Sequence, residues 1–221
     1  MPTTLPVLSL LETRVIGVLA EKQRTVPDSY PLTLNSLVSG CNQKSSRDPV
    51  MEASEAEVQA ALDSLRSMSL IVETSGGRAS RYAHNIERVL QIPTQSTALL
   101  TMLMLRGPQT AGELRINCER LHRFADIGSV ESFLAELAQR PAGALVMELP
   151  RQPGARENRW MHLLSGAPLV EARPTTGVPG VPAADVTVGE IAALKANVAK
   201  LEVEVGELRA LVTKLCAELG V

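Results

Sequence analysis

Arg78-x-x-Arg81-Tyr82-x-His84 and Arg156-x-x-Arg159-Trp160-x-His162 repeat one pattern of two guanidiniums, an aromatic ring and an imidazole at fixed spacing. Paired arginines can grip phosphates, imidazoles can ligate metals or move protons, and the rings can stack on a ligand or fill a core. Spacing removes most of these options. His84, His122 and His162 are the only histidines, and none stands at metal-ligand or catalytic spacing with Cys, Asp or Glu. Cys41, Cys118 and Cys216 are odd in number, far apart and without a C-x-x-C pair, which disfavours a disulfide framework and a zinc site. No Gly-rich phosphate loop, H-E-x-x-H or G-x-S-x-G occurs. The sequence therefore predicts no enzyme, no metal and no cofactor. Tyr82 and Trp160 are expected to pack into their own cores, and Cys41 and Cys118, at matching apolar helix positions, to be buried structural thiols.

The elements that must position these residues are marked by capping signals. A Ser or Thr with Glu three residues later can satisfy orphan backbone N–H groups at a helix start. Ser9/Glu12, Ser54/Glu57, Thr110/Glu113 and Thr187/Glu190 each head a run with helical apolar spacing. Helices are predicted near 9–23, with Leu11, Val15, Val18 and Leu19 inward, near 33–42, and near 54–68, with Val58, Ala61, Leu62 and Leu65 on one face. Leu70 to Thr74 then reads as a strand, Gly76-Gly77 as a turn and Arg78 to His84 as the returning strand. Three helices followed by a β-hairpin is the order of a winged helix-turn-helix.

That order repeats. Thr33-x3-Leu37-x3-Cys41 is echoed by Thr110-x3-Leu114-x3-Cys118, and Val58-x3-Leu62-x2-Leu65 by Val130-x3-Leu134-x2-Leu137. Together with the two Arg-x-x-Arg strings, these matches indicate an internal duplication. The predicted class is mainly α with small β-hairpins (α+β), as two tandem winged helix-turn-helix domains at 1–92 and 93–165. A Pro/Gly-rich linker at 166–186 and a coiled-coil helix at 187–221 follow. In the tail, Ile191, Val198, Val205, Val212 and Leu219 alternate with Leu194, Leu201, Leu208 and Leu215 as a and d positions. β-branched residues at most a positions with Leu at d favour a parallel pair. A homodimer through this helix is expected, the alternative being a helix folded back on its own domains.

Winged-helix readers usually send the third helix into the major groove. Here the outward positions carry Glu55, Gln59, Asp63 and Arg66 in the first repeat and Glu131, Ser132 and Glu136 in the second. Carboxylates there would repel phosphates. The charge balance is near neutral in both repeats: nine Lys/Arg against ten Asp/Glu over 1–92, and eight against seven over 93–170. Basic residues gather instead in the hairpins and the loops before the third helices. The DNA-contact candidates are accordingly Lys44, Arg47, Arg78, Arg81, Arg115, Arg123, Arg151, Arg156 and Arg159, with Arg120 beside them. The same arginines also read as solvated strand and loop residues.

Cys41-Asn42-Gln43-Lys44, Arg47-Asp48-Pro49-Val50-Met51, Gly112-Glu113-Leu114-Arg115 and Arg156-Glu157-Asn158-Arg159-Trp160-Met161-His162-Leu163 resemble the YceH family of bacterial proteins, from about residue 9 to 165. The resemblance implies a tandem winged-helix fold and carries no catalytic residues. With no leader-like N-terminus and no apolar run of spanning length, the expectation is a cytoplasmic protein without a membrane partner. It acts either as a DNA-associated transcriptional regulator working through wings and loops, or as a protein–protein adaptor using winged-helix faces and the coil.

Overall fold

Ser9 accepts from the Glu12 backbone N–H at 3.2 Å while its own N–H donates to the Glu12 carboxylate at 2.6 Å. This reciprocal cap starts helix α1, Leu10–Thr25, which ends where Pro27 follows the cap residue Val26. In the computed structural model of the chain, which describes residues 7–75, 79–152 and 154–167, Thr33 caps α2, Leu34–Cys41, and Ser54 with Glu57 caps α3, Glu55–Ser67. The α3 residues buried are Val58, Ala61, Leu62 and Leu65, the four that the spacing predicts. Strand β1, Leu32–Thr33, precedes α2, and β2, Ile71–Thr74, and β3, Arg81–His84, follow α3. They form an antiparallel sheet in the order β1-β3-β2, with Tyr82 opposite Leu32 on one side and Glu73 on the other.

A short helix α4, Ile86–Leu90, leads to α5, Thr94–Arg106, then α6, Ala111–Asn117, and α7, Ile127–Ala138. Thr110 and Glu113 form the predicted capping box of α6. The cap of α7 was not legible as such a box, because Asp126 and Ser129 fill the two roles. Strands β4, Val146–Glu148, and β5, Trp160–His162, close an antiparallel hairpin. Gln109 makes a further antiparallel bridge to Trp160. Gln109 stands one residue before Thr110 as Leu32 stands before Thr33, so the bridge reproduces the Leu32 to Tyr82 pairing. The chain is thus mixed α/β, with seven α-helices and two small antiparallel sheets among the described residues.

The first helix of each repeat packs on the other. Residues 96–105 of α5 are buried without a break, as are 13–21 of α1. Close approach needs Gly17, where an added Cβ would lie 2.9 Å from Leu105 Cδ2. Burying each Leu or Ile at this contact contributes about 1.5–3 kcal/mol. Polar ties reinforce it: the Asp48 N–H donates to the Leu105 carbonyl at 2.8 Å, Arg106 Nη2 to Ser46 Oγ at 2.8 Å, and Arg140 to the Leu90 carbonyl. Both repeats therefore share one core within a compact unit, Met1–Leu169. Among the described residues no helix is long and apolar enough to cross a membrane. Nearly all of the predicted linker and the whole predicted coiled coil, with Ile191 to Leu219 and Cys216, lie outside the described residues.

Candidate nucleic-acid interface

The loop from Asn42 to Ser54 is built inward. Asn42 clips it by donating from Nδ2 to the Ala53 carbonyl at 2.8 Å and accepting from the Ala53 N–H at 2.7 Å. Arg47 corrects the sequence reading: as a basic residue in a polar loop it is a phosphate candidate, but only 6 % of its surface is exposed. Its guanidinium donates to both Glu21 carboxylate oxygens, at 3.2 and 2.6 Å, and to the Gly40 carbonyl at 3.2 Å. Burial pushes the Glu21 carboxyl up, yet the hydrogen bonds and charge of Arg47 and the charge of Lys22 hold it below the ordinary carboxylate range. A side chain spent in this way has no face left for DNA.

A second buried arginine escaped the sequence reading. Arg14 is fully buried and donates to the carbonyls of Cys41 at 3.1 Å and Pro49 at 2.6 Å. It lies three residues after Leu11 and four before Val18, on the arc that the apolar spacing marks as inward. A charge at such a position was the available signal.

The hairpin arginines are exposed but employed. Arg81 Nη1 donates to the Pro31 carbonyl at 2.8 Å, and Arg159 Nη1 to the Pro108 carbonyl at 2.9 Å. Arg159 also pairs with Glu113 at 3.2 Å. Arg78 lies outside the described residues. Lys44, Arg115, Arg120, Arg123, Arg151 and Arg156 are exposed, and among the described residues none has a carboxylate within 4.0 Å. Arg115 Nη2 donates to the Ala125 carbonyl at 3.2 Å, which holds it over the loop that carries Arg123.

Three parts of the second repeat converge at Gly112. An added Cβ there would lie 4.0 Å from Glu157 Oε2 in the hairpin turn and 4.0 Å from Ile127 Cδ1 at the start of α7. Gly112, Arg115 and Ile116 share one face of α6 by helical spacing. The neighbourhood of Arg156, the outer face of α6 and the loop before α7 are therefore contiguous. That surface also holds exposed Ile116, Ile127, Glu119 and Glu157.

The third helices keep the expected sign. Glu55, Asp63, Glu131 and Glu136 are exposed, and Arg66 is ion-paired to Asp63 at 3.2 Å and to Glu73. The remaining reactive groups are internal. Burial pushes the thiols of Cys41 and Cys118 up to about 11 and about 12. Burial, aided by Arg24, pushes His84 down to about 4, and burial alone does the same to His162. Tyr82 is 4 % exposed, and Trp160 packs half-buried against the core. Among the described residues no group of three or more His, Cys, Asp or Glu is arranged to hold a metal ion.

Residues 8–155 match the model of DUF480, described as a protein family of unknown function. The chain belongs to this family. It is 61 % identical over 223 residues to a UPF0502 protein of Dechloromonas aromatica (strain RCB), covering 99 % of this chain and all of that one. A UPF0502 protein of Methylibium petroleiphilum is 58 % identical, covering 98 % and 92 % of the two chains, and one of Burkholderia ambifaria is 56 % identical, covering 100 % and 92 %. In this DUF480 protein the string from Cys41 to Asp48 is largely spent on the fold. The Cys41 carbonyl receives Arg14, Asn42 clips the loop, Arg47 neutralises Glu21, and the Asp48 N–H reaches α5.

Proposed function

We propose that this DUF480 protein is a non-enzymatic, cytoplasmic tandem winged-helix protein that associates with DNA as a regulator, touching the backbone through hairpins and inter-helix loops. The observation that carries the reading is the set of exposed cations without carboxylate partners among the described residues: Lys44, Arg115, Arg120, Arg123, Arg151 and Arg156 all sit in a hairpin, on the second helix of a repeat or in the loop before a third helix. Phosphate contacts need charge and reach, which these positions supply, and they carry no base readout of their own. The heptads at 187–221, a feature of the sequence, support pairing of two chains. The test is a salt-titrated binding assay on mixed genomic fragments. Binding that weakens steeply as salt rises is expected, and no binding at low salt sinks the reading.

A second reading is favoured by one observation: the exposed acids Glu55, Asp63, Glu131 and Glu136 on the third helices. A surface of that sign suits a basic protein partner, which would make the molecule an adaptor. Affinity capture followed by mass spectrometry separates the two. Recovery of nucleic acid with no reproducible protein counts against the adaptor.

A further inference from the structure

The two repeats use the same loop differently. In the first repeat the loop between α2 and α3 is drawn into the core: Arg47 is consumed by Glu21, Asn42 clips the chain, and Ser46 and Asp48 tie the loop to the end of α5. The corresponding loop of the second repeat, between α6 and α7, leaves Arg120 and Arg123 at the surface with no hydrogen-bond or ion-pair partner among the described residues. The two hairpins share one tie, Arg81 to the Pro31 carbonyl and Arg159 to the Pro108 carbonyl, and the second also carries Arg151 and Arg156, exposed and without partners among the described residues. We infer that the repeats have divided their labour: the first repeat's loop holds the second repeat in place, and the α6–α7 loop with the β4–β5 hairpin forms the polyanion-contacting face, whose partner is the duplex DNA backbone.

This rests on the DNA reading above and narrows it to one repeat. The convergence at Gly112 makes the face continuous, because the hairpin turn at Glu157, the α6 surface bearing Arg115 and the start of α7 meet there. Of the acids beside this face, Glu113 is paired with Arg159 at 3.2 Å. Glu119, Glu157 and the α7 acids Glu131 and Glu136 remain exposed, so α7 does not enter the groove and contact is confined to phosphates. Such a face binds weakly and with little sequence preference.

The experiment is fluorescence anisotropy of the full chain on a labelled mixed-sequence duplex of about 25 base pairs between about 50 and about 200 mM salt. The variants are Arg120→Ala/Arg123→Ala, Arg151→Ala/Arg156→Ala and Lys44→Ala, with Arg88→Ala as the control for loss of an exposed charge elsewhere. These six arginine and lysine side chains are exposed, so the fold is expected to survive, which circular dichroism checks. Each second-repeat pair is expected to weaken binding about ten-fold at the lower salt and to reduce the salt slope by up to about two. Lys44→Ala is expected to cost clearly less. If the wild-type chain binds but both second-repeat pairs keep its salt slope, or if Lys44→Ala matches them, the division of labour is overturned while the DNA reading stands. If the wild-type chain does not bind at about 50 mM salt, both fall, and the exposed Ile116 and Ile127 mark the face as a protein contact.

Discussion

Arg81 Nη1 donates to the carbonyl oxygen of Pro31 at 2.8 Å, across 50 residues of sequence. The same contact joins Arg159 to Pro108 at 2.9 Å. Each proline stands two residues before the threonine that caps the second helix of its repeat, so each arginine pins a hairpin strand to a helix start. The repeated Arg-aromatic-x-His string is thereby accounted for as a fold device: the arginine clamps, the ring packs inward, and the histidine sits half-buried at the strand end with its Nδ1 covered. Arg81→Ala and Arg159→Ala should each cost about 1 kcal/mol, the scale of a hydrogen bond with a charged donor discounted for exposure. Urea titration measures this, and a Lys substitution should recover only part of it, since an ammonium lacks the planar fork.

The Glu21–Arg47 pair gives a larger effect. Arg47→Met leaves a carboxylate at low exposure with only Lys22, at 3.2 Å, for a partner. Removing one member of a buried pair typically costs about 3–5 kcal/mol. Replacing both, as Glu21→Leu/Arg47→Met, should restore much of the loss, because no stranded charge remains. The Glu21 carboxyl is held below its ordinary value in the fold, so its contribution is present above the unfolded-state pKa and is lost as pH falls through the depressed folded value. A double-mutant cycle in urea, repeated at acid and neutral pH, reads the coupling.

Most of the fold is legible in the sequence, and the reasons for the rest are physical. Ser9, Ser54 and Thr110 head their helices as the spacing predicts, because caps and periodicity are local. Strand β1 has two residues and α4 has five, too few for any period to register. Arg47 is illegible as a core residue because its burial depends on Glu21, 26 positions away on α1. The candidate site suffers most from this blindness. A lone arginine in a polar loop reads the same whether it faces solvent, as Arg123 does, or a buried carboxylate.

The two half-buried strand-end imidazoles set an acid limit. His84 Nε2 lies 2.7 Å from Gln23 Oε1, and the Nδ1 atoms of His84 and His162 are buried without a partner in the described structure. Burial, with Arg24 beside His84, pushes both down to about 4. A folded pKa below the unfolded value of about 6.5 means that the unfolded chain binds more protons between those values. Stability should therefore be fully present above about pH 6.5 and fall as pH drops towards 4. The urea midpoint should rise from pH 4.5 to 7, and His84→Gln/His162→Gln should flatten that rise (about those pH values). NMR titration of both imidazoles near the ordinary histidine value would contradict it.

Two helical glycines differ in what an added methyl would strike, and this ranks their variants. At Gly17 the Cβ would meet Leu105 Cδ2 at 2.9 Å and Cγ at 3.0 Å, on a side chain unbranched at Cβ and so freer about χ1 than a valine, though in a filled core. At Gly40 it would meet Val18 Cγ1 at 2.6 Å, on a β-branched side chain that is stiff about χ1 and fully buried. Replacing glycine by alanine within a helix otherwise gains up to about 1 kcal/mol, against an overpacking cost of about 1–3 kcal/mol. Gly40→Ala should therefore destabilise clearly, by about 1–2 kcal/mol, and Gly17→Ala by less. The order is fixed by Val18: in a Val18→Ala background the Gly40→Ala penalty should largely vanish, whereas the Gly17→Ala penalty should stay. Urea midpoints of the five variants, Val18→Ala alone included, measure this, and an unchanged Gly40→Ala penalty in that background would show that the methyl collides elsewhere.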